Sequence, residues 1–280
     1  MMSLSIGISL KLGQRRRGPS FLLDQFPGAA AAYSLRALSA DTTAVVRVRR
    51  SSDNTEADFT PAQIGDGSLL AWVGTGGSDN GFVTTWYDQS GNTRDVTQTT
   101  AGNQPKIVDA GSLVTEGGRP ALLHDRSTLE ALITTSELQY TAFLCARQSD
   151  IGTTYFYQLN NDGVAEMSLR GSPTSGGSGS LQLRGSGSNE ISFLAHATGQ
   201  RVISALQKAT SELFYDGNLV ASGNTGSTGI THIGIGRRFD ALGFNYVGKY
   251  SEFILFLSDQ SADRDAIEQN IASHYGITLA

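Results

Sequence analysis

The chain has 280 residues, enough for one large β domain or two small ones. A formal net charge of −5 argues against nucleic acid as the main partner, and the single cysteine, Cys145, excludes an internal disulfide or a cysteine-held metal cluster. Hydrophobic residues make up 39% of the chain, and 33 glycines against 6 prolines point to a folded protein with many tight turns. No apolar run reaches the length of a membrane helix, so no membrane insertion is expected. The N-terminal arginines follow the first apolar stretch instead of preceding it, unlike a secretion signal. These features suggest a protein made in the cytoplasm, either free or built into a larger particle.

Residues 4–12 alternate strictly, with Leu4, Ile6, Ile8, Leu10 and Leu12 on one side and Ser5, Gly7, Ser9 and Lys11 on the other. That period of two predicts a strand with one apolar face. It is either the domain's own first strand or a docking arm that adds to a partner's sheet. Arg15-Arg16-Arg17-Gly18-Pro19 breaks the pattern, which separates an attachment segment, 1–20, from a domain at 21–280. Within Phe21–Leu38 an alanine-rich patch predicts a short helix opened by Asp24 or by Pro27-Gly28. Val45–Arg50 reads as a strand and Ser51–Asn54 as a turn; Leu69–Val73 is a short apolar run closed by glycines.

Next comes a stretch, Thr84–Val108, with unusually concentrated chemistry. Trp86-Tyr87 runs into the polar turn Asp88-Gln89-Ser90-Gly91-Asn92, followed by Arg94 and a Thr/Gln-rich segment. Sugar recognition needs an aromatic face for one side of a ring and planar amides and carboxylates for the hydroxyls. Trp86, Tyr87, Asp88, Asn92 and Arg94 are therefore the candidate glycan contacts. The same residues also suit a self-satisfied structural turn, and because Phe82-Val83 precede them, at least one of the two aromatics is expected in the core.

From Pro120 onward the pattern is strand, turn, strand. Strands are predicted at Ala121–Leu123, Tyr140–Ala146, Thr154–Leu159, Glu166–Leu169, Leu181–Arg184, Ile191–Leu194, Arg201–Leu206, Leu213–Tyr215, Leu219–Ala221, Ile230–Ile235 and Lys249–Leu257. Asp216-Gly217 is a strong hairpin signal because both residues tolerate positive φ. Gly171–Asn189 reads as long loops around one strand. A closing helix, capped by Ser261 and ended by Gly276, places Ile267, Ile271 and Tyr275 on one face. Many short strands with Gly-rich turns make the fold class all-β, a sandwich or jelly roll.

Asp216-Gly217, Gly234-Ile235-Gly236, Gly248–Phe256 and Tyr275-Gly276-Ile277 together resemble a laminin-G-like, concanavalin-A-like jelly roll. Tyr33–Ala121 resembles more narrowly the catalytic domain of the arabinofuranosidase B family, through Trp86-Tyr87-Asp88-Gln89-Ser90-Gly91-Asn92. An arm ending near Gly18-Pro19-Ser20 before an alanine-rich start is similar to structural proteins of tailed bacteriophages. That likeness implies a virion component, with residues 4–12 contacting other virion proteins, the loops contacting host-surface carbohydrate, and a homo-oligomer open.

The enzymatic side of the resemblance is incomplete. It implies a nucleophile in an Asp-Leu-Glu-Asn-Gly run, but the matching place by order, Leu181–Gly185, carries no carboxylate. The implied acid follows a Gly-Gly pair where this chain has Arg237-Arg238, with Asp240 close by, and Cys145 has no neighbouring cysteine. A non-catalytic reading is therefore preferred, with an arabinofuranosidase-type glycoside hydrolase as the alternative. The four histidines lack zinc spacing. No cofactor is expected; calcium on loop carboxylates such as Asp88, Asp95 or Asp216 is kept open.

Overall fold

The structure is a computed structural model, and it describes residues 21–149, 152–160, 168–173, 179–185, 189–196, 198–226, 229–237 and 245–280. The expected arm, 1–20, lies outside the described residues, as does Glu166 at the start of one expected strand.

In chain order the first strands are β1 (Ala29–Ser34), β2 (Val46–Arg50), β3 (Glu56–Phe59), β4 (Gly81–Trp86), β5 (Val96–Thr97), β6 (Lys106–Asp109), β7 (Ser112–Leu113), β8 (Thr115–Glu116), β9 (Arg119–Pro120), β10 (Leu122–Asp125) and β11 (Leu129–Leu132). There follow β12 (Tyr140–Gln148), β13 (Thr154–Gln158), β14 (Ser168–Pro173), β15 (Gly179–Arg184), β16 (Glu190–His196), β17 (Gln200–Gln207), β18 (Ser211–Tyr215), β19 (Asn218–Gly223), β20 (His232–Ile235) and β21 (Val247–Phe256). Four α-helices, α1 (Leu22–Gln25), α2 (Pro61–Gly65), α3 (Ser68–Val73) and α4 (Arg264–Tyr275), and a short 3-10 helix at Ala101–Asn103 complete the described elements.

The strands form two antiparallel layers. The first runs β19-β18-β17-β12-β21, with β1 and β10 sharing the far edge of β21. The second runs β16-β15-β14-β13-β20-β11-β5-β4, and β4 pairs onward with β2, which pairs with β3. Pairings of β6 with β4 and β10 join the layers along one side. This is the expected all-β jelly-roll sandwich.

Strict alternation of side chains explains why the first layer reads as continuous apolar runs. Ala142, Leu144 and Ala146 of β12, with Phe253 and Leu255 of β21, face the core between the layers. Phe143 and Cys145, with Ile254 and Phe256, face the other way, onto Ile267, Ile271 and Tyr275 of α4 and Leu22 and Leu23 of α1. A strand covered on both faces has no need of polar residues. The second layer has the sandwich core on one side only.

Two local expectations are corrected, and one helix goes beyond them. The alanine-rich patch is strand β1, fully buried between β21 and the Asp88 turn, and the helix before it, α1, ends at Gln25. Small side chains let the two cores and the turn crowd around β1, an environment that overrides alanine's helix preference. Helix α4 begins at Arg264 after Asp263, and Ser261 instead donates to Asp259, so the expected Ser261 cap is not formed. Helix α2 was not foreseen, although Thr60 and Gln63 form a reciprocal capping box with Pro61 next in line. The Asp216-Gly217 hairpin is as expected, with φ of 47° and 87° between β18 and β19, and Gly276 ends α4 at φ 69°.

Candidate functional site

The five candidate contacts fall into different environments. Trp86 is 0% exposed, with its ring 5.8 Å from that of Tyr33, so it is closed to a ligand and belongs to the core. Its place on β4 opposite Val46 turns the indole inward. Tyr87, next along the strand, points out and donates to Asp58 Oδ1 at 2.7 Å, while Arg47 holds both oxygens of that carboxylate. Partial burial and the Asp58 bond push the Tyr87 phenol up to about 12, so it remains a donor at ordinary pH.

Asp88 is the hub of the turn. Oδ1 accepts from the N–H groups of Ala32 and Ser90, both at 2.9 Å; Oδ2 accepts from Ser90 Oγ at 2.8 Å and Arg94 N–H at 3.0 Å. The backbone N–H of Gln89 donates to Ala32 O, and its side chain spans Leu38 N–H, Ser34 O and Arg36 O. Asn92 donates to Ala29 O, and Arg94 Nη1 donates to Ala30 O at 2.6 Å. The polar part of the signature, Asp88 to Asn92, is thus spent largely on the outer edge of β1, which would otherwise expose unsatisfied backbone groups. Asp88 and Asn92 act first as a structural clamp. A cavity of about 290 Å³ lies beside this turn, bounded by Asp24, Asp41, Thr42 and Asp88–Gly91.

Helices α1 and α4 cover the outer face of the first layer, so the outer face of the second layer is left for a ligand. Alternation sends Leu129, Ile233, Leu169, Leu181, Leu183 and Ile191 into the core and their neighbours outward. The outward set includes Glu130 and Leu132 of β11 and His232 of β20. These line a groove of about 520 Å³ with Thr93, Arg94, Asp95 and Thr97. Leu132 is 75% exposed there, in a surround of carboxylate, imidazole, guanidinium and hydroxyl. Arg237 Nη1 donates to Glu130 Oε2 at 2.7 Å, and Asp95 Oδ1 accepts from Asp88 N–H at 2.9 Å. Farther across the same face, Glu190 accepts from Arg170 at 3.1 Å and lies 3.3 Å from Arg184, and Arg170 also donates to Gln182 at 2.6 Å.

Arg94 is therefore the one candidate contact that opens into this groove. Asp95, Glu130, Leu132 and His232 were not selected from the sequence as glycan contacts. The signal for them is a break in alternation at Leu129-Glu130-Ala131-Leu132, where a large apolar residue takes an outward position. The carboxylates kept open for calcium are far apart in role: Asp88 and Asp95 serve the turn, and Asp216 accepts from Val202 N–H and Arg201. Among the described residues there is no cluster of three or more His, Cys, Asp or Glu able to hold a metal ion.

No protein-family profile matches the sequence, and no curated protein matches it. The fold does match solved structures. A GH54 α-L-arabinofuranosidase soaked with a cyclic sulfate inhibitor superposes with a TM-score of 0.64 at 16% identity, over 88% of this chain and 62% of that one. An arabinofuranosidase complexed with arabinofuranosyl-α-1,2-xylobiose gives the same figures. The chain thus spans about three fifths of the length of these enzymes, and the likeness shows a shared fold.

Proposed function

We propose that this protein is a non-catalytic saccharide-binding jelly-roll module, with its site in the groove between Arg94-Asp95 and Glu130, Leu132 and His232. The observation that carries the reading is Leu132, a three-quarters-exposed apolar side chain inside a groove of planar polar groups. The apolar side of a sugar ring would rest on Leu132, and its hydroxyls would bond the carboxylate, imidazole and guanidinium around it. The fold shared with enzymes solved in complex with arabinofuranosyl ligands supports the same class of ligand.

Against catalysis stands the placement of the outward glutamates. Glu130 is held by Arg237, and Glu190 by Arg170 and Arg184. β11 and β16 are five strand spacings apart, or roughly 24 Å. Glycosidase carboxyl pairs sit about 5–9.5 Å apart. One pair favours the alternative of an arabinofuranosidase-type hydrolase: Asp95 and Glu130 line the same groove. The virion role, with attachment through residues 1–20, rests on the sequence resemblance and belongs to the same proposal.

A glycan array probed with the full chain tests the reading. Retention of one saccharide class, lost in Leu132→Asp, is the expected result; an array with no retained glycan would defeat it. Turnover of an aryl arabinofuranoside, abolished in both Asp95→Asn and Glu130→Gln, would establish the hydrolase instead. Detection of the protein in purified phage particles by mass spectrometry tests the virion setting, and its absence from them would remove that part.

A further inference from the structure

The sandwich has edges of three different characters. The outer edge of β1 is closed by Asp88, Gln89, Asn92 and Arg94, as described above. β3, which among the described residues pairs with β2 alone, carries Glu56 and Asp58, the latter ion-paired to Arg47. Charge on an edge strand discourages further pairing. At the opposite side of the molecule, among the described residues, β19 pairs with β18 alone and β16 with β15 alone. The two touch where a Cβ on Gly223 would meet Ile191 at 3.0 Å. Each carries an exposed leucine, Leu219 at 52% and Leu194 at 66%, and no residue of β19 is buried. Among the described residues β19 carries neither a clamp nor a charged side chain, whereas β16 opens on Glu190, held by Arg170 and Arg184.

The chain also holds a strand-forming segment outside the described residues, the alternating run Leu4 to Leu12. We propose that residues 4–12 of a second copy of this chain add as a strand to the β19 edge. Main-chain hydrogen bonds would supply register-independent affinity, and the arm's apolar face would cover Leu219. Chain length decides between the molecule's own arm and a neighbour's. Phe21 opens α1, whose Leu23 bonds Leu38 on the β1 side. From β1 to a strand beyond β19 is six spacings, or about 29 Å. Leu12 and Phe21 are nine steps apart and can be separated by at most about 30–32 Å with residues 13–20 fully extended, and Gly18-Pro19 shortens that reach. An arm docking on its own edge would be stretched taut, whereas a neighbour's arm is under no such limit.

Isotope-mixed crosslinking of the full chain tests this. Heavy-labelled Ile8→Cys protein is mixed with light Leu219→Cys protein and oxidised; Cys145 is fully buried and does not compete. A heavy–light disulfide is expected, at least tenfold above that from Ile8→Cys mixed with Glu56→Cys on β3. Light scattering on the wild type should show an oligomer that Ile8→Pro and Leu219→Lys each convert to monomer. A monomeric wild type, oligomers that persist in both variants, or crosslinks no more frequent at β19 than at β3 would overturn the proposal.

Discussion

Asp88 spends both carboxylate oxygens on four donors, three of them backbone N–H groups, of Ala32, Ser90 and Arg94. Asn in its place keeps one acceptor oxygen and offers donors to donors. Asp88→Asn is expected to lower stability by about 2–3 kcal/mol, measured as a shift in the urea midpoint at unchanged slope. His124 makes a second residue-scale case. It is 0% exposed, packs against Tyr250 at 4.9 Å, and shares a hydrogen bond between Nδ1 and Ser127 O. Burial pushes its imidazole down to about 4, so it stays neutral when folded while the unfolded chain takes up a proton near 6.5. The unfolded state binds more protons between those values, so stability falls as pH drops from about 6.5 toward 4. Between pH 7 and 5 the loss from this residue is about 2 kcal/mol. Denaturant midpoints at both pH values should diverge in the wild type and diverge less in His124→Asn, where His274, also pushed down to about 4 by burial, keeps a share of the dependence.

At the scale of elements, a buried ionic node ties three of them together. Glu252 of β21 is 0% exposed and receives Arg36 at both oxygens, at 2.8 and 2.9 Å, with Ser34 of β1 at 2.9 Å and Tyr275 of α4 at 3.2 Å. Removing one side strands the other charge, so Glu252→Ala is expected to cost about 3–5 kcal/mol. The double variant Arg36→Met/Glu252→Met should recover most of it, and a double variant as unstable as the single would refute the pairing argument. The sequence foretold elements where a local rule decided them: Asp216-Gly217 for a hairpin, Gly276 for a helix end, alternation for β12 and β21. It misled where environment outweighed propensity. Four alanines followed by Tyr33 look helical, yet they are a strand because a turn fifty-odd residues away supplies their second edge.

The layered whole explains what could be read of the site. The outward face of the second layer follows from α1 and α4 covering the first, and that coverage depends on contacts between Leu22 and Ile267 neighbourhoods that no local motif announces. The Trp86–Asn92 signature marked the fold correctly but drew attention to a corner whose polar groups are committed to β1. Arg94 and Asp95 bridge the clamp and the groove: Arg94 donates to Ala30 O and Asp95 accepts from Asp88 N–H, while both line the groove with Glu130 and His232. The central claim, saccharide binding without hydrolysis at that groove, is tested most directly by calorimetric titration of an array-selected oligosaccharide into wild-type protein and Leu132→Asp. Saturable binding to the wild type, at least tenfold weaker in the variant at equal thermal stability, is the result predicted. Equal affinity in both proteins, or an oligosaccharide cleaved during the titration, would contradict it.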